Sequence, residues 1–291
     1  MDKGNSIIAL RYKGEAEKMS EVEVTQVDQE EYPEMHRVLE LALEAGRILL
    51  RNGAEIFRVE ETIEHICKRF GVEEVDSFVL SNGIFLTAYS KGKENFAKVK
   101  HVPMAGIHLG IVTEVNDLSR EISAGRVGID EAFRRLEEIE KLPPKKSLYL
   151  VLAAGLGSGS FCYLLKANIW ESLIAFVIGT LLYVLVIFAQ KHTMSKIIIN
   201  IVGGGFITIL ALIASNINFP FAVSLDKVII GSILPLVPGV AFTNAIRDIA
   251  NSDFISGTVR IIDALLVFVY IAIGVGTVLS AYNSILGGMA L

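Results

Sequence analysis

Cysteine is scarce in this sequence, with only Cys67 and Cys162 among 291 residues. The two lie in regions of different composition, so no disulfide is expected between them, and the first region is typical of a reducing compartment. No basic patch interleaved with aromatic residues is present, so we expect no nucleic-acid partner. Residues 1–24 also lack the continuous apolar run and cleavage site of a signal peptide.

Sequence signatures of catalysis and of cofactor binding are missing as well. No lysine follows the glycines in the register of a phosphate-binding loop, and there is no serine elbow or catalytic-cysteine motif. His101 and His108 are separated by Pro103 and Gly106, so no regular element places both as metal ligands. We therefore expect no enzyme activity, no catalytic residue, no cofactor and no metal.

Charged residues become sparse in the second half of the chain. Glu, Lys and Arg are concentrated in residues 1–147, whereas Leu, Ile, Val, Ala, Gly and Phe dominate residues 148–291. A hydrophobic share of 52% exceeds the ~45–50% usual in soluble domains. The sequence therefore predicts a flexible leader at residues 1–30, a cytoplasmic α+β domain at residues 31–146 and an all-α membrane domain at residues 147–291.

The first half alternates between two hydrophobic periods. Apolar residues spaced by three and four predict helices, and apolar residues spaced by two predict strands. Asn52-Gly53 and Gly71 end the first two helices, and Ser81-Asn82-Gly83 is typical of a hairpin turn. The predicted helices cover residues 32–51, 55–70, 107–124 and 129–141, and the predicted strands cover residues 75–80, 84–90 and 96–102.

The second half contains five segments close to the ~20 residues that cross a bilayer. They cover residues 148–165, 173–189, 197–215, 228–245 and 261–282. Basic residues flank them unevenly. Six lie on one side, against Lys166 and Lys227 on the other: Lys145, Lys146, Lys191, Lys196, Arg247 and Arg260. The positive-inside rule then predicts a multi-pass protein of the inner (plasma) membrane, with a cytoplasmic N-terminal domain and an external C-terminus.

Residues 234–263 combine charge with helix breakers between two apolar segments. Pro238-Gly239, with Pro235, predicts a break in the fourth membrane helix, as is typical of helices that line a cavity. Asn244, Arg247 and Asp248 share one helix face. The next segment carries Asp253, Ser256, Gly257, Arg260 and Asp263 at a helical period. Two interpretations stay open: an arginine that binds a substrate carboxylate, or an ion-pair network that pins the hairpin.

Four runs of this sequence resemble the threonine/serine exporter family, in particular its N-terminal module, the larger subunit where the exporter is split. They are GAEIFRVEETIEHICKRFGVEEVDSFVLSNGIFLT, AGIHLGIVTEVNDLSREISAG, GLGSGSF and LPLVPGVAFTNAIRDIANSDFISGTVRIIDAL. The resemblance covers residues 35–282, and the combination of PGxxxTNAIRD with SGxxR is its specific part. That motif falls on Pro238, Gly239, Thr243, Asn244, Arg247, Asp248, Ser256, Gly257 and Arg260.

The resemblance implies a cytoplasmic domain followed by five membrane helices, and export of small amino acids or of dicarboxylates such as succinate. Fused members carry a second, smaller membrane module, which does not follow here. We therefore expect a separate small integral-membrane partner subunit, an oligomeric assembly in the lipid bilayer and a small-molecule substrate. The family resemblance also carries a hydrolase-like proposal for the soluble domain, which no residues of this sequence support.

Eleven residues form the candidate substrate site. The substrate carboxylate is expected on Arg247 or Arg260, with hydrogen bonds from Thr243 and Asn244. Aspartates hold these arginines or carry a coupling proton. The set is Pro238, Gly239, Thr243, Asn244, Arg247, Asp248, Asp253, Ser256, Gly257, Arg260 and Asp263. Two alternatives remain: a membrane-anchored enzyme with a hydrolase-like domain, and a ligand-sensing regulatory membrane subunit.

Overall fold

The N-terminal unit, residues 28–143, combines four helices with one small sheet. The computed structural model describes residues 28–72, 74–89, 95–103, 106–143 and 146–285. In the N-terminal unit the elements follow the two hydrophobic periods. They are α1 (Asp28–Arg51), α2 (Ile56–Arg69), β1 (Glu74–Leu80), β2 (Gly83–Tyr89), β3 (Asn95–His101), α3 (Leu109–Ser123) and α4 (Ile129–Glu140).

The sheet is antiparallel in the order β1-β2-β3. Leu80 pairs with Gly83 across a two-residue turn, and Gly83 pairs with His101 on the other side. One face of the sheet packs on the helices, so Leu86 and Ala88 are buried with Ile63 in a single apolar core. Cys67 lies in this core, and burial raises the pKa of its thiol to about 12.

The helical unit, residues 146–285, holds the apolar segments. Its elements are α5 (Ser147–Leu164), α6 (Ile169–Lys191), α7 (Lys196–Asn216), α8 (Leu225–Ile233), a 3-10 turn (Leu234–Leu236), α9 (Gly239–Ala250) and α10 (Phe254–Ile285). Four of these helices are long and apolar enough to cross a membrane, and α8 with α9 makes a fifth span if the bent pair is counted as one.

The break predicted at Pro238-Gly239 is present. The α8 helix tightens into the 3-10 turn at Leu234, and α9 restarts at Gly239 at an angle of 68° to the preceding segment. Proline supplies no N–H to the helix ladder, which explains why the regular pattern stops here. The polar helix α9 therefore points in a different direction from the apolar helix α8 of the same segment.

Glycines let the helices of this unit approach closely. A side chain at Gly155 or Gly159 would collide with the α6 backbone, and one at Gly204 or Gly274 would collide across the α7–α10 contact. Small residues at such positions permit backbone-to-backbone packing of membrane helices. Close packing of neighbouring helices therefore accounts for glycine at these positions.

The first and last helices begin earlier than the sequence predicts. The first helix begins at Asp28, so the last three residues of the predicted leader are helical, and the rest of the leader lies outside the described residues. The last helix begins at Phe254 rather than at residue 261. The helix extends over residues 254–260 because Ser256 and Gly257 are buried at the contact with α9 and Arg260 contacts the N-terminal unit. Residues 90–94, between β2 and β3, lie outside the described residues, and residue 90 of the second predicted strand is among them.

Candidate functional site

The α9–α10 hairpin positions the charged residues of the predicted site. Ser252 adopts a left-handed conformation with φ of 73°, and the Asp253 N–H donates to the Asp248 carbonyl at 2.8 Å. Gly257 faces α9, where an added Cβ would lie 2.9 Å from the Ala245 carbonyl oxygen. The hairpin is therefore tight enough for side chains of the two helices to meet.

Asp248 and Arg260 form a buried ion pair across this hairpin. Arg260 Nη1 donates to Asp248 Oδ2 at 2.8 Å, and the two side chains are 11% and 0% exposed. The second carboxylate oxygen of Asp248 accepts the Ile56 N–H at 3.2 Å. Such a pair needs its remaining hydrogen bonds filled, because a desolvated charge without partners is costly.

The N-terminal unit supplies those partners through residues 52–55, which we name the 52–55 turn. This turn joins α1 to α2 and reaches Arg260 and Asn244 of the hairpin. Arg260 Nη2 donates to the Ala54 carbonyl at 3.1 Å, and Asn244 Nδ2 donates to the Gly53 carbonyl at 2.9 Å. Gly53 has a φ of +85°, a conformation that favours glycine.

Arg247 lies at the edge of this contact rather than inside it. Its Nη1 donates to Glu55 Oε1, yet the arginine side chain is 58% exposed while the glutamate side chain is only 10% exposed. Arg58 Nε lies 3.6 Å from the other oxygen of the same carboxylate. Of the two arginines in the motif, Arg260 is enclosed by protein and Arg247 remains accessible.

Two further carboxyl groups border the hairpin. Burial raises the pKa of Asp253, an effect that the positive charge of Arg260 opposes. Burial also raises the pKa of Glu60, and the charge of Asp253 adds to that shift although the Val79 N–H, 3.1 Å from Glu60 Oε1, lowers it. Both environments favour the protonated form of these acids.

The remaining predicted residues lie around this centre. Pro238 and Gly239 form the break, and Thr243 is exposed with its hydroxyl donating to the Gly239 carbonyl at 2.9 Å. Ser256 is buried in the first turn of α10. Asp263 is held apart from both arginines of the hairpin by an ion pair with Lys196 at 2.7 Å. The structure thus groups the other charged candidates but directs Asp263 to α7.

The 52–55 turn is the part of the site that the sequence analysis missed. Gly53, Ala54 and Glu55 open the run GAEIF, which belongs to the resemblance but carries no sequence signal of a contact with the motif. Nothing in the sequence distinguishes Glu55, which directly precedes α2, from the acidic residues of that helix. Within the described ranges, no three His, Cys, Asp or Glu side chains come together as metal ligands.

Comparison with known proteins gives consistent family names. The family profile described as "Putative threonine/serine exporter" (ThrE) matches residues 40–282. "Probable succinate transporter subunit YjjP" of Escherichia coli is 26% identical over 84% of this chain and 95% of its own length. "Threonine/serine exporter" of Corynebacterium glutamicum is 24% identical over 86% of this chain, which spans 52% of that longer protein. No solved structure gives a significant match.

The match of the family profile covers most of the chain and includes both the 52–55 turn and the α9–α10 hairpin. It also agrees with the several apolar helices of the structure, which make this a multi-pass membrane protein. The chain therefore belongs to the threonine/serine exporter family.

Proposed function

We propose that this protein is a subunit of a secondary exporter that moves small carboxylate-bearing metabolites out of the cytoplasm. The observation that carries the proposal is the exposed guanidinium of Arg247, at the end of a broken apolar helix pair. An arginine binds a carboxylate through two parallel N–H donors, and only Nη1 of this one is occupied by Glu55. The names of the relatives, a threonine/serine exporter and a succinate transporter subunit, support the same ligand class.

Thr243 extends the binding surface along α9. It lies one helical turn before Arg247, and both side chains are exposed. Its hydroxyl can accept a hydrogen bond from a substrate ammonium group while it donates to the Gly239 carbonyl. Asn244 keeps its side-chain oxygen for the same purpose, because its amide N–H donates to Gly53. Amino acids and dicarboxylates both fit a site with one guanidinium and neighbouring polar groups.

Arg260 and Asp248 have a different role in this proposal. Their pair is buried, and it contacts both Ala54 of the 52–55 turn and the Ile56 N–H. It holds the hairpin in place, as the ion-pair interpretation of the motif predicts, and leaves substrate capture to Arg247. The two interpretations of the sequence thus apply to different arginines.

Proton coupling is part of the proposal. The carboxyl groups of Asp253 and Glu60 favour their protonated forms and border the site. A carboxyl group with a raised pKa can release a proton when an approaching cation stabilises its charged form. Export is therefore proposed to exchange substrate for a proton, with the N-terminal unit in the cytoplasm and the C-terminus outside.

A separate small membrane subunit is proposed to complete the exporter. One relative of nearly the same length is named a transporter subunit, and a longer relative carries additional chain beyond the matched region. The N-terminal unit is then a part of the transporter that docks on the hairpin, which favours a regulatory contribution over an independent enzyme.

Efflux from proteoliposomes tests the proposal. The chain is reconstituted with its small membrane subunit, and release of labelled threonine, serine and succinate is followed with and without a pH gradient. Arg247→Ala is expected to abolish efflux with folding and assembly intact. Efflux that survives Arg247→Ala but is lost in Arg58→Ala would instead place the activity in the N-terminal unit, and equal rates with and without the gradient would exclude proton coupling.

A further inference from the structure

Glu55 occupies the guanidinium that the proposed function assigns to the substrate. Its side chain is 10% exposed, and its Oε1 accepts from Arg247 Nη1. The protein thus already holds a carboxylate on the arginine that is to bind the substrate carboxylate. A substrate must either share Arg247 with this group or displace it.

The second oxygen of Glu55 is under-satisfied. Oε2 is buried and has no hydrogen-bond partner among the described residues. A buried carboxylate oxygen without a donor is unfavourable, which weakens the hold of Glu55 on its present position. A second charged donor, Arg58 Nε, lies 3.6 Å away, just beyond hydrogen-bond distance, on a half-exposed side chain that also lies over the Phe57 ring.

Glu55 therefore lies between two arginines, one on each structural unit. Arg247 belongs to α9 and Arg58 to the first turns of α2. A small rotation of the glutamate side chain lengthens the contact with Arg247 and shortens the contact with Arg58. The neighbouring contacts of the 52–55 turn, Ala54 with Arg260 and Ile56 with Asp248, do not depend on this rotation.

We propose that Glu55 is a built-in competitor for the substrate carboxylate at Arg247, and that Arg58 receives Glu55 when substrate binds. The inference rests on the proposed function, since it takes Arg247 as the carboxylate-binding residue. In the free protein Glu55 neutralises Arg247 and closes the site to weakly binding anions. In the bound protein the substrate takes Arg247, and the released Glu55 transmits that event to α2.

When an internal group competes for a site, the apparent Kd equals the intrinsic Kd divided by the fraction of molecules in which the site is free. If Glu55 leaves Arg247 free in about a tenth of the molecules, its removal tightens apparent binding about tenfold. The isosteric Glu55→Gln removes the charge. Glu55→Asp keeps the charge but shortens the side chain, so it is expected to shift affinity in the same direction.

Equilibrium binding of radiolabelled L-threonine, L-serine and succinate to the purified full-length chain tests this inference. Glu55→Gln is expected to lower the apparent Kd about tenfold. Arg58→Gln is expected to raise it severalfold in the natural background and to have no effect on top of Glu55→Gln. The matched control is Glu140→Gln, which removes another glutamate–arginine pair, with Arg47 at 2.6 Å, and is expected to leave Kd unchanged.

The outcomes separate the two proposals. Loss of binding in Arg247→Ala together with an unchanged or raised Kd in folded Glu55→Gln overturns the competitor role and leaves the proposed function standing. Binding that survives Arg247→Ala, or no binding of any probe by the natural protein and by Glu55→Gln, overturns both. If Glu55→Gln does not fold, Glu55→Asp and Arg58→Gln decide, and an unchanged Kd in these two overturns the inference.

Discussion

Arg260→Ala is expected to release the 52–55 turn from the helical unit. The substitution leaves the Asp248 carboxylate buried, with only the Ile56 N–H as a partner, and removes the donor to the Ala54 carbonyl. Removing one member of a buried ion pair costs about 3–5 kcal/mol. A loss of about 3 kcal/mol corresponds to a roughly hundredfold increase in the population of the opened state.

Hydrogen exchange measured by mass spectrometry reads this opening directly, because the Ile56 N–H donates to Asp248 Oδ1 at 3.2 Å. Amides of residues 54–56 are expected to exchange roughly a hundredfold faster in Arg260→Ala, since local exchange follows the local opening free energy. Asp248→Asn/Arg260→Met, which removes both charges, is expected to recover most of the protection.

Lys196→Ala is the matched control, because it breaks the ion pair between Lys196 of α7 and Asp263 of α10, the helix that also carries Arg260, and both side chains of that pair are well exposed. Exposed pairs contribute little to stability, so protection at residues 54–56 is expected to stay unchanged. Unchanged exchange in Arg260→Ala, or an equal increase in Lys196→Ala, would refute the assignment of Arg260 as the residue that pins the turn.

Two further predictions follow from packing and from charge. Gly274→Ala would place a Cβ 2.0 Å from the Ile201 carbonyl oxygen. The free energy of unfolding is expected to fall by about 1–3 kcal/mol, which is measured as a lower thermal midpoint in detergent. Gly276 has open space around it, so Gly276→Ala is expected to behave as the natural protein. Glu60→Gln keeps an acceptor for the Val79 N–H but removes a charge that burial disfavours. Because the pKa of Glu60 is raised in the folded state, the natural protein loses stability as the pH rises from 4.5 through the folded-state pKa. Glu60→Gln is therefore expected to melt at a higher temperature than the natural protein at pH 8. This difference is expected to disappear below pH 4.5.

Local periodicity explains how much of the fold the sequence reveals. The strands shift by only one residue from their predicted bounds, because the alternation and the two-residue turn at Ser81-Asn82 both fix the register. The break at Pro238-Gly239 follows from a single missing N–H. Helix ends are less well predicted where tertiary contacts extend the helix, as at the start of α10, where Ser256 and Gly257 are buried at the contact with α9.

Only the hairpin residues of the candidate site could be predicted from the sequence. The spacing of Asn244, Arg247 and Asp248 places them on one face, and this needs no tertiary information. Their partners lie about 190 residues earlier, in the 52–55 turn and at Ile56 directly after it, at sequence separations of 191 and 192. No pattern in a single sequence connects positions that are so distant. The carbonyls of Gly53 and Ala54 are also backbone groups, which side-chain motifs do not reveal.

Arg247 and Arg260 belong to one motif and carry the same functional group, but they differ in exposure. A guanidinium that is 11% exposed, with its carboxylate at 2.8 Å and a backbone carbonyl at 3.1 Å, offers little accessible surface to a ligand. One that is 58% exposed and shares a single N–H with Glu55 can still bind one. Because both arginines contact the same turn, occupation of Arg247 acts on a segment that Arg260 keeps in place. A fixed contact beside an exchangeable one would let a ligand change the position of a side chain without separating the two units, and we therefore propose that the 52–55 turn takes part in substrate binding.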